Sequence, residues 1–185
     1  MRIVGGRFKG RTLRGPSSHA TRPTSDRLRE ALFNVLAHAY GDPADGARVL
    51  DLFAGTGALG LEALSRGAKF AVFVDEAAEP RGLIRANVEA LGLGGVTRIF
   101  RRDATKLGTA FASDAFDLVF CDPPYGRGLA LMALTSAREG GWLAPAALIV
   151  VEESVEAAFA APEGFDELER RRYDTSELII LRAAP

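Results

Sequence analysis

The 185-residue sequence predicts an α/β fold: a mostly parallel seven-stranded sheet with helices packed on it, a C-terminal antiparallel hairpin and a small basic N-terminal arm. Three observations carry that prediction. From residue 48 onward, short β-rich runs alternate with helical segments, the pattern of right-handed βαβ crossovers. Runs such as Phe70-Ala71-Val72-Phe73-Val74 are apolar at every position, as in strands buried on both faces. The composition, 48% hydrophobic and 25% charged, is that of a globular domain and excludes disordered, collagen-like and fibrous chains.

Residues 1–20 mix Ile3-Val4, Phe8 and Leu13 with Gly5, Gly6, Gly10, Gly15 and Pro16, which predicts a hairpin or extended arm turning at the glycines. Such a segment holds no core of its own, so residues 1–23 are set apart as an arm and residues 24–185 as the domain. A leading helix over 24–40 follows. Thr24 or Ser25 can cap it after Pro23, and Leu28, Ala31, Leu32, Val35, Leu36 and Ala39 share one face. Strands are predicted over 48–53, 70–75, 97–101, 116–122 and 147–152, with helices near 59–65, 77–91, 129–139 and 155–160. Two further β-like segments, 165–173 and 177–181, leave no room for a helix between them and should pair as the edge hairpin.

The net charge of −1 hides an asymmetry. Residues 1–30 hold Arg2, Arg7, Lys9, Arg11, Arg14, Arg22, Arg27 and Arg29 against Asp26 and Glu30, so that this end carries +6 and the remaining 155 residues −7. A basic arm suits a phosphate-rich partner, because Arg and Lys neutralise phosphates and release counterions. One cysteine, Cys121, and two histidines, His19 and His38, supply neither a closed zinc site nor an intramolecular disulfide, so no metal is expected. The N-terminus lacks the apolar stretch of a secretory signal and no apolar run is long enough to span a bilayer. These features predict a soluble cytoplasmic protein in a reducing compartment, with no membrane partner.

Val49 through Gly60 reads as a strand, a glycine turn and a helix start, with Gly55, Gly57 and Gly60 in G-x-G-x-x-G spacing. Glycines there let the chain turn tightly and let a ligand approach the helix N-terminus. That spacing alone also describes an empty βα turn. Asp75, ending the next strand about twenty residues on, adds a carboxylate able to accept both hydroxyls of a ribose. Asp51 places a further carboxylate just ahead of the loop, where it would repel a pyrophosphate and attract the ammonium of a methionine moiety. S-adenosylmethionine is therefore expected rather than NAD, with Asp51, Phe53, Gly55, Gly57 and Asp75 as its cofactor-binding residues. Asp103, closing the third strand, either accepts from the adenine amine or simply caps the turn that follows.

A second motif, Asp122-Pro123-Pro124-Tyr125, follows the fourth strand, on the edge where open α/β sheets bind ligands. The prolines fix φ and remove two backbone donors, leaving carbonyls that only accept. Asp122 adds a carboxylate acceptor and Tyr125 a flat ring. An exocyclic amine on a planar base needs that set: acceptors draw the nitrogen lone pair out of conjugation and aim it at an electrophilic methyl. These four residues are the expected catalytic group. Cys121, inside an apolar strand, is expected to pack inertly.

With these residues in hand, the sequence resembles the bacterial RsmD-type 16S ribosomal RNA guanine-N2 methyltransferases over nearly its whole length. The likeness rests on Arg2-Ile3-Val4-Gly5-Gly6, Gly10-Arg11, Arg22-Pro23-Thr24, Asp26-Arg27, Arg29-Glu30, Leu32-Phe33-Asn34, Asp51 through Ser65, and Asp122 through Tyr125. The resemblance implies a Rossmann-like class I S-adenosylmethionine-dependent fold. It also implies methyl transfer to N2 of guanine 966, in the usual numbering, of 16S rRNA in the small ribosomal subunit or a late assembly intermediate. One departure is Arg172-Tyr173-Asp174-Thr175, where the pattern has a Tyr-Gly-Asp-Thr-like turn.

Arg7, Lys9, Arg11, Arg22 and Thr24 are the expected substrate-binding residues. Residues 1–20 carry none of the cofactor motifs, and a chain lacking them is expected to fold and bind cofactor. Other readings stay open: a DNA adenine or cytosine amino-methyltransferase, a protein glutamine methyltransferase, a small NAD-dependent oxidoreductase, or a non-catalytic RNA-binding module. The NAD reading leaves Asp51 and Asp122 to Tyr125 without a role, and the binding module explains the arm alone.

Overall fold

A computed structural model describes residues 1–17, 25–113 and 115–185. Seven strands, β1 (Arg48–Leu52), β2 (Phe70–Val74), β3 (Thr97–Phe100), β4 (Phe116–Cys121), β5 (Leu143–Ser154), β6 (Phe165–Tyr173) and β7 (Ser176–Ala183), form one sheet of order β3-β2-β1-β4-β5-β7-β6. The first five are parallel, and β7 runs antiparallel to both β5 and β6. Among the described residues four α-helices accompany them: α1 (Asp26–Ala39), α2 (Ala58–Ser65), α3 (Ala78–Ala90) and α4 (Leu129–Glu139).

The pleat explains the two cores. Val49, Ala71, Phe73, Leu118 and Phe120 point to one face, where α1, α2 and α3 cover them through Phe33, Leu61 and Ile84. Leu50, Leu52, Val72, Val74 and Val119 point to the other, against Ala130, Ala133, Leu134 and Ala137 of α4. Asp51 shares the face of Val49 and so lies beneath α2. Cys121 is buried, and burial pushes its thiol well above the ordinary range, as its inert packing requires.

Ser25 is the residue that caps α1, its Oγ accepting from the Leu28 amide at 3.1 Å. The helix predicted over 155–160 is only a 3-10 turn, Val155–Ala157, closed by Ala158 at φ 48°. The segment is too short and too exposed to bury an apolar stripe, which is what sustains helices in proteins. Strand β5 starts four residues earlier than predicted, its first residue Leu143 pairing with Phe116 of β4. At the departing turn, Tyr173 pairs with Ser176 across two residues, and Asp174 takes φ 55°, a conformation aspartate tolerates.

The arm is more closely built into the domain than the expectation that a chain lacking it still folds would suggest. The Arg2↔Thr12 bridge closes it into a small hairpin whose Ile3 and Leu13 are 1% and 3% exposed within the first core. Each such side chain contributes about 1.5–3 kcal/mol by burial. The arm also docks by hydrogen bonds: the Phe8 amide donates to Ser65 Oγ at 3.0 Å, and Ser65 Oγ donates to the Gly5 carbonyl at 2.6 Å. Gly6 sits so close to α2 that a Cβ there would lie 2.0 Å from the Ser65 carbonyl oxygen. The arm is short of a core because it shares that of the domain.

Candidate active site

The carboxyl ends of the parallel strands assemble the site. Leu52 is in register with Val74 and with Cys121, so the next residues, Phe53, Asp75 and Asp122, emerge side by side where the order reverses between β1 and β4. Sequence motifs 24 and 71 residues away from Asp51 thus converge on one edge.

The glycine loop is built from left-handed residues: Phe53 at φ 56°, Gly55 at 57° and Gly57 at 78°, the last capping α2. A non-glycine residue in this region is uncommon, and such strain concentrates at ligand sites. A Cβ at Gly55 would meet only the Phe53 carbonyl oxygen within 4 Å, so one side of the loop is open. At Gly60 a Cβ would lie 2.5 Å from the Phe73 ring, so only glycine lets α2 pack this close to β2.

Asp75 fastens the loop from the second strand: its Oδ2 accepts from the Gly55 amide at 3.0 Å and its Oδ1 from the Ala77 amide at 3.0 Å. Asp51 is 1% exposed and accepts from the Gly60 amide at 2.9 Å. Burial pushes its carboxyl up to about 8, with the Asp75 charge adding to the effect and the Gly60 amide opposing it. The negative charge expected beside the loop is therefore a protonated acid at neutral pH in the protein alone. Because the folded state holds this proton and an unfolded aspartate releases it near 4, the stability linked to Asp51 falls as pH rises from about 4 to about 8. Asp51→Asn, which keeps an acceptor for Gly60, is expected to raise the melting temperature relative to wild type increasingly over that range. Parallel melting curves of the two proteins against pH would refute the assignment.

Asp103 caps the 3-10 turn Ala104–Lys106. Its Oδ1 accepts from Thr105 Oγ1 at 2.7 Å and the Thr105 amide at 2.9 Å, bonds that lower its carboxyl below the usual range. This is the capping reading of the sequence, and it leaves contact with adenine as part of the proposal below.

Pro123 is buried and Pro124 exposed. Behind them lies a feature that the motif did not announce: Tyr125 donates from its hydroxyl to Glu152 Oε1 at 2.7 Å, and Gly126 donates from its amide to Glu153 Oε1 at 3.2 Å. Both glutamates end the apolar stretch of β5 and are 6% and 2% exposed. Two acids closing an apolar run at the ligand edge were the available signal. Asn87 of α3 was missed too. It is 1% exposed, donates from Nδ2 to the carbonyls of Thr56 at 3.0 Å and Arg14 at 3.1 Å, and accepts from the Arg14 amide at 2.7 Å. One side chain thus ties the arm to the glycine loop.

Of the basic residues assigned to substrate, Arg7 and Lys9 are exposed, Arg7 lying 4.6 Å from the centroid of the Phe8 ring. Arg11 is also exposed, but its Nη2 donates to the Ala90 carbonyl at 2.9 Å, capping the end of α3. Arg22 and Thr24 lie outside the described residues. Among the described residues no group of three or more metal-ligating side chains gathers, and no helix is long and apolar enough to cross a membrane.

A reversed β7 between β5 and β6, with the ligand edge at the β1/β4 switch, is the architecture of the class I methyltransferases. The chain superposes on yhhF from Escherichia coli with a TM-score of 0.84 and 33% identity, covering 100% of this chain and 98% of that one. For TrmN from Thermus thermophilus the TM-score is 0.68 at 26% identity, over 84% of this chain and 48% of that one. The family model described as Conserved hypothetical protein 95 matches residues 1–182. Ribosomal RNA small subunit methyltransferase D of Escherichia coli K12 is 43% identical over 157 residues, 84% of this chain and 76% of its own. The protein of that name from Haemophilus influenzae is 34% identical, over 92% and 88%. The chain belongs to this family, the RsmD type of methyltransferase.

Proposed function

We propose that this protein transfers a methyl group from S-adenosylmethionine to the exocyclic N2 of a guanine, position 966 in the usual numbering, of 16S rRNA in the small ribosomal subunit or a late assembly intermediate. The observation that carries the reading is the convergence of Asp122 through Tyr125 with Phe53 and Asp75 on one strand edge, Tyr125 being pinned by Glu152. The names of the relatives at 43% and 34% identity support the choice of RNA.

The residues fit the cofactor. The open side of Gly55 admits close approach of a ligand to the backbone, and Asp75 retains further lone pairs on oxygens already oriented by two amides. Phe53 to Gly57 would hold the methionine part, with the buried Asp51 bracing the loop from beneath through the Gly60 amide, Asp75 the ribose and Asp103 the adenine. When bound, the cofactor supplies an electrophilic methyl group. Asp75→Ala is expected to weaken its binding by about 1.5–3 kcal/mol, the worth of a charge-assisted hydrogen bond; calorimetry giving wild-type affinity would reject this placement.

The chemistry belongs to Asp122 and its neighbours. The Asp122 carboxylate and the proline-flanked carbonyls accept the amine's N–H groups, which localises its lone pair for attack, and Asp122 can take the proton that the nitrogen sheds. Tyr125 stacks on the base, its ring held by the Glu152 bond. Arg7 and Lys9 would meet phosphates around a base drawn out of its stack, contacts that offset a flipping cost of a few kcal/mol. The test is mass mapping of rRNA after incubating unmethylated 30S subunits with the protein and S-adenosylmethionine. A single N2-methylated guanine is expected. No modification of rRNA, or label in DNA or protein instead, would reject the reading.

A further inference from the structure

Beside the Asp-Pro-Pro-Tyr turn lies a cleft of about 630 Å³, whose lining includes Tyr125, Gly126, Glu153, Ser154, Ala157 and Phe159. That volume is ample for a nucleobase with its sugar. Glu153 is 2% exposed, the most deeply placed acid on the cleft. Its Oε1 accepts from the Ser154 amide at 2.8 Å and from the Gly126 amide at 3.2 Å. One oxygen is thereby anchored to the loop that carries Tyr125, fixing how the carboxylate sits. Among the described residues the only other charged side chain lining the cleft is Glu156, so these residues offer acceptors and no cation. Such a lining suits the donor edge of a base and disfavours a phosphate.

The consequence rests on the proposed methyl transfer to an exocyclic amine. On a Watson–Crick edge, the ring nitrogen beside the amine distinguishes the bases: guanine presents N1–H, a donor, whereas adenine N1 and cytosine N3 present lone pairs. An ionised carboxylate is acceptor-only. It gains a charge-assisted bond from guanine and faces lone-pair repulsion from the other two. We propose that Glu153 is a specificity-determining residue, its carboxylate accepting the N1–H of the target guanine while Asp122 accepts from the N2 amine. Asp122 alone accepts any exocyclic amine, so the choice among bases falls to a second acceptor, on the neighbouring strand β5.

The test uses 30S subunits reconstituted with 16S rRNA bearing either guanine or 2-aminopurine at the target nucleotide. 2-Aminopurine keeps the exocyclic amine but exchanges N1–H for a lone pair. The wild-type protein is expected to methylate it about ten- to a hundredfold more slowly than guanine. In Glu153→Gln the amide oxygen can keep the Ser154 and Gly126 bonds and direct the NH2 toward N1. This variant is expected to lose activity on guanine and to narrow or invert the ratio, with S-adenosylmethionine affinity unchanged. The lost guanine O6 affects both proteins alike and cancels in the comparison. Equal wild-type rates on the two bases would overturn the proposal without reference to any variant. Equal slowing of both bases by Glu153→Gln would assign the side chain to loop support alone and overturn it as well. If the wild type leaves the guanine substrate unmethylated, the underlying methyltransferase reading fails and this proposal with it.

Discussion

Asp122→Ala is expected to lower turnover on 30S subunits by about 10²- to 10⁴-fold, the range for a positioned proton acceptor, while binding S-adenosylmethionine as the wild type does. The separation follows from the layout of the edge. Asp75 fastens the glycine loop through the Gly55 amide, whereas Asp122 emerges from β4 on the other side of β1, one residue beyond the Leu52↔Cys121 pair. A contact that strengthens as the amine attacks lowers kcat and kcat/KM together when it is removed. Asp122→Asn keeps one carbonyl acceptor but no longer takes the proton, so its activity should fall between those of alanine and wild type. Single-turnover methylation and calorimetry together check the claim, and near-normal turnover of the alanine variant would sink the mechanism.

Glu62→Ala is expected to destabilise the protein by about 3–5 kcal/mol, the cost of leaving a buried charge without its partner. Glu62 and Arg29 are both fully buried, with Arg29 Nε 3.5 Å from Glu62 Oε2. Arg66 Nε donates to the other oxygen at 2.8 Å, and the Val4 amide donates to Oε2 at 2.9 Å. Arg29 also donates to the Arg2 carbonyl and, at 2.9 Å, to Asp26. In a domain of this size that loss corresponds to a fall of about 10 °C in melting temperature. Glu167→Ala, which breaks the more exposed pair with Arg170 on β6, should change stability by less than about 1 kcal/mol. A comparable shift in the two variants would show that the buried network carries no special weight.

The same network changes how the arm must be tested. Deleting residues 1–20 removes Ile3 and Leu13 from the core and strips partners from Arg29 and Glu62, so loss of activity in such a chain would report unfolding as much as lost RNA contact. Charge reversal at Arg7 and Lys9 touches exposed side chains alone and isolates the electrostatic part, which should appear as a shallower dependence of 30S affinity on salt.

The seven strands and the four α-helices were legible because their signals are local: apolar runs for buried strands, 3.6-residue spacing and Ser25 for α1, glycines where φ turns positive. The glycine loop and the placement of the Asp-Pro-Pro-Tyr turn at a strand end were legible for the same reason, each being a contiguous motif. The 3-10 turn at Val155–Ala157 was misread as a helix because six residues of mixed propensity carry no periodicity strong enough to decide.

What the sequence by itself determined is therefore the order of elements and which residue types stand at two strand ends. Tertiary structure alone decided which polar groups share an environment. Glu62 and Arg29 are 33 residues apart, Tyr125 and Glu152 27 apart, and Asn87 and Arg14 73 apart, and nothing in the linear text links the two members of each pair. The physical reason is that a charge or amide has no fixed meaning until its surroundings set the dielectric and supply the partner. Asp51 shows it most plainly: alternation along β1 turns it under α2, and burial there makes the expected anion an acid that holds its proton to about pH 8.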